Sequence, residues 1–247
     1  MPGRSSMTYC LAASLKAGLV FAADTRTNAG LDHVNSFRKM HSLVWEGDRV
    51  LVLLSAGNLA TTQAVVTHLQ REAESGGPLS EVRHLSDAAD HVGQVSLQVQ
   101  RKYRAAEDMS AVSLEATFIL GGQIGDEPTG AFLIYPQGNF ITCSEEQPFL
   151  QIGETKYGKP ILDRIIEPGL SLEDAARCAL VSIDSTMRSN LSVGPPVDLA
   201  IYPAGALQRP RMLRYKHNSP YFASVRKHWG EGLRRLFDDL PRFDWEG

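Results

Sequence analysis

The chain opens with apolar runs of strand length and shifts, after Gly57, to apolar positions at helical spacing. "YCLAASL" and "LVFAADT" flank "KAG", which reads as a hairpin with Gly at its turn. "RVLVLLSAG", preceded by "EGD", is a continuous apolar run, as expected of a strand buried on both faces. In "NLATTQAVVTHLQREAES", Leu59, Val65, Val66 and Leu69 fall on one side of a helix that ends at "GGP". "SDAADHVGQVSLQVQRKYRAAE" predicts a second helix with Ser86 as its N-cap.

Strand patterns return in "EATFILGGQI", "TGAFLIYPQGNFITC" and "PFLQIG", with "PQGN" a turn within the middle segment. "KYGKPILDRII" and "SLEDAARCALVSIDSTMRS" predict two further helices, the second capped by Ser171 and acidic in its first turn. "VDLAIYP" and "RMLRYK" revert to strand. No low-complexity linker, repeat or composition shift interrupts this order, so it predicts one α+β domain with sheets between helix pairs. Residues 216–247 stand apart as a C-terminal extension, helical from about Ser219 to Phe237. Its Trp229, Phe237 and Trp245 either pack on their own domain or are covered by a neighbouring subunit.

Composition narrows the class. With 25 basic and 28 acidic residues the net charge is −3, so no basic excess points to nucleic acid and no polybasic run to a membrane surface. "YCLAASLKAGLVFAA" is broken by Lys16 and Gly18 and falls short of the roughly 18 apolar residues of a membrane span. Three scattered cysteines, Cys10, Cys143 and Cys178, suit a reducing cytoplasm better than a disulfide framework. His33 and His41 have no second pair of ligands at metal spacing, and "GGQIGDEPTG" lacks phosphate-loop order, so neither metal nor other cofactor is expected. Cys10 has no identifiable His partner and reads as an inert buried thiol.

The candidate chemistry becomes visible when Thr8 is treated as a first residue. An N-terminal Thr carries a nucleophile, Oγ, and a base, the α-amine with an ordinary pKa of about 7.7–8.0, in one residue. Asp24 ends the second strand, Lys39 follows in "FRKMH", and Gly57 sits where a strand gives way to a helix. A buried Lys beside the hydroxyl lowers the cost of an alkoxide, and an Asp beside that Lys keeps it charged and oriented. Gly57 suits an oxyanion hole, with a backbone N–H near a helix start and no side chain in the way. Together these parts make an acyl-transfer site, whereas each alone is an ordinary turn, surface or strand-end residue.

"TYCLAASLKAGLVFAADTRTNAG", then "RKM", then "SAGNLATTQ", resembles the opening of proteasome β-type subunits and of the simpler bacterial HslV-type protease. The resemblance is closest to the bacterial proteasome-related group called Anbu, down to "MTYCLA" and "SNLSVGPPVDLAIYP", and it spans nearly all of residues 7–215. It implies an N-terminal-nucleophile hydrolase fold, a four-layer αββα sandwich of two antiparallel sheets between helix layers. It implies a threonine-type peptidase or amidohydrolase with Thr8 as nucleophile, Asp24 and Lys39 as its supporting pair and Gly57 as oxyanion donor. Thr27, Asn28, Ser55 and Leu59 fall where the family lines its substrate groove. It also implies a homo-oligomer, a ring or helical stack, acting on peptides or amides; no ATP-binding motif names an unfoldase.

The chain departs from the β-subunit pattern in several places. It is one residue shorter between Asp24 and Lys39 and a few longer between Lys39 and Gly57. Gly153-Glu154 stands where β subunits have Gly-Ser, so Glu154 either lies near the nucleophile, raising the pKa of Lys39 or the amine, or points to solvent. "RSNLSVGPP" replaces Asp-x-x-Ser-Gly, offering Ser192 to hydrogen-bond the Thr8 amine and Asn190 as a second candidate. These changes keep two alternatives open: a catalytically silent assembly subunit, or an amide hydrolase with one dedicated substrate. Residues 1–7 read as a leader, an expression remnant or a misassigned start, with Met7 the expected biological start. A Thr8 still joined to Met7 has no free amine and is expected to be blocked.

Overall fold

Strict alternation in three strands lays down the layers. The computed structural model describes residues 8–28, 34–106 and 113–245. β1 (Tyr9–Leu15) and β2 (Gly18–Asp24) form the first hairpin, in which Leu15 pairs with Gly18 and the loop is Lys16-Ala17, so the glycine heads the second strand. A ribbon of β3 (Arg26–Asn28) and β4 (Val34–Ser36) follows, then the antiparallel pair β5 (Met40–Trp45) and β6 (Arg49–Gly57). In β1 and β2, Cys10, Ala12, Leu19, Phe21 and Ala23 face one core, while Tyr9, Leu11, Ala13, Val20 and Ala22 face another. In β6, Val50, Val52, Leu54 and Ala56 point to the first of these cores and Leu51 and Leu53 to a third. A strand buried on both faces is therefore a strand inside a layered sandwich.

The first helical layer comprises α1 (Leu59–Ser75), the single turn α2 (Pro78–Glu81) and α3 (Leu85–Ala106). Val65, Val66 and Leu69 of α1 are buried against β6, as their spacing predicts, whereas Leu59, expected on the same face, stays half-buried at the start of the helix. Ser86 is not the N-cap of α3. The N–H groups of Asp87 and Ala88 both reach the His84 carbonyl, which places Ser86 inside the first turn. Glu127, from a distant loop, accepts from the Leu85 N–H at 3.3 Å and also bonds His84. A carboxylate brought in by the tertiary fold meets the exposed N–H end of the helix.

β7 (Ala116–Ile124), β8 (Gly130–Ile134) and β9 (Phe140–Thr142) complete the sheet β5-β6-β7-β8-β9. β10 (Phe149–Gly153) crosses to the other sheet and pairs with β1. α4 (Lys159–Ile165) and α5 (Leu172–Ser189) form the second helical layer, with Ser171 accepting from the Asp174 N–H as the cap of α5. β11 (Val197–Pro203) and β12 (Arg211–Tyr215) finish the sheet β10-β1-β2-β11-β12. The architecture is thus two five-stranded antiparallel sheets, face to face, between helix layers.

The last helix, α6 (Pro220–Asp238), is anchored to the domain through its first turns. Phe222 is fully buried in the α5-side core. Arg226 donates from Nε to buried Asp184 of α5 at 2.5 Å, and Arg188 reaches the other oxygen of that carboxylate at 2.9 Å. Further on, Leu236, Phe237, Leu240, Phe243 and Trp245 are each more than half exposed. The extension therefore packs on its own domain through its first turns and leaves the rest of its apolar side uncovered in the isolated chain.

Candidate active site

The strand register gathers four chain segments at one end of the sandwich. Tyr9 pairs with Gly153, Cys10 with Ala23, and Val197 with Asp24, so the start of β1 lies between the ends of β10 and β2, with the approach to β11 alongside. The Ser55 N–H donates to the Lys39 carbonyl at 3.0 Å, tying the end of β6 to the same place. Thr8, Asp24 and Lys39 meet there, all buried.

Asp24 is the centre of the cluster. Its Oδ1 accepts from Thr8 Oγ at 2.7 Å, Lys39 Nζ at 2.6 Å and the Tyr9 N–H at 3.0 Å. Its Oδ2 accepts from the Gly194 N–H at 3.2 Å. Lys39 is held on its other side by the Arg26 carbonyl at 2.7 Å. A fully buried carboxylate without such donors carries a large desolvation cost, and charge-assisted donors offset it. Thr8 and Lys39 are thus coupled through one shared oxygen, and the cation lies where it lowers the cost of negative charge on Thr8 Oγ.

The backbone fixes Thr8 from behind. Its carbonyl accepts from the Glu154 N–H at 2.7 Å. Gly153 sits at φ +85°, and a Cβ there would come within 1.9 Å of the Thr8 oxygen, so only glycine allows this approach. The Glu154 carboxylate is not turned out to solvent: it accepts from Asn190 Nδ2 at 3.1 Å, because the end of α5 brings that amide against it. Asn190 Oδ1 in turn accepts from the Ser192 N–H at 2.9 Å.

A cavity of about 370 Å³ opens in front of Thr8 and is also lined by Lys39, His41, Ser55, Gly57 and Leu59. Gly57 ends β6 one residue before Asn58, the N-cap of α1, whose side chain accepts from the Thr61 N–H. Its glycine is required by backbone shape as much as by access: φ is +110°, and a Cβ would stand 2.4 Å from the Glu115 carbonyl oxygen. Thr27 and Asn28 form β3 next to the site; their side chains, like His33, lie outside the described residues. Cys10 is fully buried, its thiol near the Ser55 carbonyl, and burial pushes its pKa up to about 12, which keeps it protonated. Among the described residues no cluster of His, Cys, Asp and Glu has the makings of a metal site, and no helix is long and apolar enough to cross a membrane.

Sequence reasoning missed the backbone members of this site: the Gly194 N–H, the Arg26 carbonyl and the Glu154 N–H. "GPP" signals a stiff loop, but nothing in it identifies Gly194 as the donor that reaches Asp24.

A threonine at the head of a strand inside an αββα sandwich, beside an Asp–Lys pair, has the layout of the N-terminal-nucleophile fold. Residues 7–202 match the sequence profile of the proteasome subunit, and the chain belongs to that family, within its Anbu group. It is 45% identical to Anbu (ancestral beta-subunit) from Yersinia bercovieri, with a TM-score of 0.89, covering 96% of this chain and 99% of that one. It is 44% identical to the chain in the helical assembly of the Anbu complex from Pseudomonas aeruginosa, with a TM-score of 0.91 and coverage of 96% and 98%. Anbu from Hyphomicrobium sp. strain MC1 is 42% identical, with a TM-score of 0.84 and coverage of 96% and 99%. Comparison with curated proteins gave no match.

His41 provides a pH test of the cavity. Burial holds its pKa below the ordinary value of 6.5, against a weaker upward pull from the bond its ring makes with the Arg38 carbonyl. The unfolded chain then binds more protons than the folded one just below pH 6.5, so this group's contribution to stability is complete above that pH and is lost as pH falls. NMR titration is expected to place the His41 midpoint below 6.5, and His41→Gln to reduce the acid sensitivity of the urea midpoint. A midpoint at or above 6.5 contradicts the burial.

Proposed function

We propose that this chain is a threonine-type peptidase or amidohydrolase that works once Thr8 is its first residue. The observation that carries this reading is the sharing of one buried Asp24 oxygen by Thr8 Oγ and Lys39 Nζ at the floor of an open cavity. Thr8 Oγ attacks a peptide or amide carbonyl; its proton passes to the free Thr8 amine and then to the leaving amine. The C–N bond breaks, an ester forms on Thr8, and water hydrolyses that ester with the amine acting as base. Lys39, held by Asp24 and the Arg26 carbonyl, stabilises the developing alkoxide, and the Gly57 N–H receives the oxyanion. Ser55 and Leu59 line the groove that orients the substrate, and Ser192 is the candidate to hydrogen-bond the amine.

We further infer that the chain assembles with copies of itself. The exposed apolar side chains of Leu236, Phe237, Leu240, Phe243 and Trp245, gathered in one short segment, support this, and the Pseudomonas aeruginosa relative forms a helical assembly. A reducing cytoplasm suits the three free cysteines.

Two measurements test these readings. A chain beginning at Thr8, exposed to a peptide electrophile directed at hydroxyl nucleophiles, is expected to gain one probe mass on Thr8. Thr8→Ala is expected to gain none, and the chain retaining residues 1–7 to react at least ~100-fold more slowly for want of the amine base. Labelling that survives Thr8→Ala overturns the assignment. Deletion of residues 236–247, which leaves Phe222 and the Arg226–Asp184 pair in place, is expected to lower the number of subunits per particle measured by light scattering; an unchanged subunit number contradicts the role given to the extension.

A further inference from the structure

Glu154 and Asn190, two of the departures from the β-subunit pattern, touch each other, and the contact closes a circuit of hydrogen bonds. From Thr8 Oγ the path runs to Asp24 Oδ1 at 2.7 Å, and from Asp24 Oδ2 to the Gly194 N–H at 3.2 Å. Gly194 belongs to the loop that leaves α5, whose start is folded back by the Ser192 N–H on Asn190 Oδ1 at 2.9 Å. The same Asn190 side chain donates from Nδ2 to Glu154 Oε2 at 3.1 Å, and the Glu154 N–H returns to the Thr8 carbonyl at 2.7 Å. Asn190 is itself fixed to the helix, its N–H on the Thr186 carbonyl at 2.8 Å, and the Val193 N–H reaches the Asn190 carbonyl at 3.1 Å.

We propose that Glu154 and Asn190 are a positioning pair that holds the 190–194 loop against the start of β1, so that the Gly194 N–H stays on Asp24 while Asp24 holds Thr8. The proposal rests on Thr8 being the nucleophile for its catalytic consequence, but not for its structural one. Both ends of the Asn190 amide are used, the oxygen for its own loop and the nitrogen for Glu154, so the side chain works as a joint between two segments 36 residues apart in sequence. Arg26 clamps the same loop from the opposite side, Nη1 on the Leu191 carbonyl at 2.8 Å and N–H on the Gly194 carbonyl at 3.3 Å. Leu191 is solvent-exposed and supplies no packing that could replace these polar contacts. Val193 is buried in the α5-side core and anchors the middle of the loop by packing, so the hydrogen bonds at Asn190, Leu191 and Gly194 set where its backbone amides point rather than whether it stays attached.

The polarity of the pair gives a reciprocal test. Asn190→Asp keeps the acceptor for the Ser192 N–H but sets a carboxylate against Glu154, which repels it. Adding Glu154→Gln restores one donor facing one acceptor with the polarity reversed. Glu154→Gln alone keeps an amide oxygen for Asn190 Nδ2. Any cost of an acid at the end of α5 is common to both variants that carry it, so rescue isolates the pair.

Two readouts are taken on chains beginning at Thr8 and checked for cooperative unfolding: hydrogen-exchange protection of the 190–196 peptide and the rate of covalent labelling of Thr8. Asn190→Asp is expected to lower both by about tenfold, the double variant to restore both to within about threefold, and Glu154→Gln alone to stay within that range. Unchanged loop protection in Asn190→Asp, or a double variant no better than Asn190→Asp, overturns the proposal. If the parent chain takes no label, the hydrolase reading fails, and the exchange measurement still decides whether the pair holds the loop.

Discussion

The site is organised around the buried carboxylate of Asp24. With four hydrogen bonds accepted from Thr8, Tyr9, Lys39 and Gly194, it gathers the starts or ends of four segments that the strand register only brings near one another. Burying a charge is tolerable because every approach to it ends in a donor, one of them a cation. The dependence runs both ways. Without Asp24, Lys39 loses its counter-charge in a buried position, the Thr8 hydroxyl its acceptor, and the Gly194 N–H its acceptor.

The sandwich supplies the position and leaves the chemistry to a few residues at its rim. Alternation in β1, β2 and β6 sends one face of each strand to the shared middle core and the other to a helix layer, so the sheets cannot slide by one residue without inverting their packing. Thr8 is fixed relative to Gly153 and Asp24 by that register, and Gly153 and Gly57 let backbone approach where no side chain fits. Fold and site are consequently separable in kind: apolar alternation holds the first, and hydrogen bonds among polar residues and backbone amides hold the second.

That separation explains what was legible in the sequence. Buried strands announce themselves as unbroken apolar runs of strand length, and the apolar face of α1 by its period of 3.6. The cap of α3 does not, because it comes from Glu127 after an intervening strand, and local reasoning picks Ser86 instead. The β3–β4 ribbon and α2 are too short to leave a periodic trace. Asp24, Lys39 and Gly57 gain meaning from their joint order, whereas the Gly194 N–H and the Arg26 carbonyl are backbone groups with no side-chain signature. Glu154 and Asn190 read singly as unrelated departures; only their 3.1 Å contact shows them to be partners.

Replacing Asp24 with Asn tests this account most directly, because it keeps the shape of the side chain while removing the charge that three donors share on one oxygen. The measurement is the rate of covalent labelling of Thr8 in a folded, assembled chain that begins at Thr8. A fall of at least ~100-fold with assembly intact is the predicted result, and a rate within about twofold of the parent contradicts the central place given to Asp24.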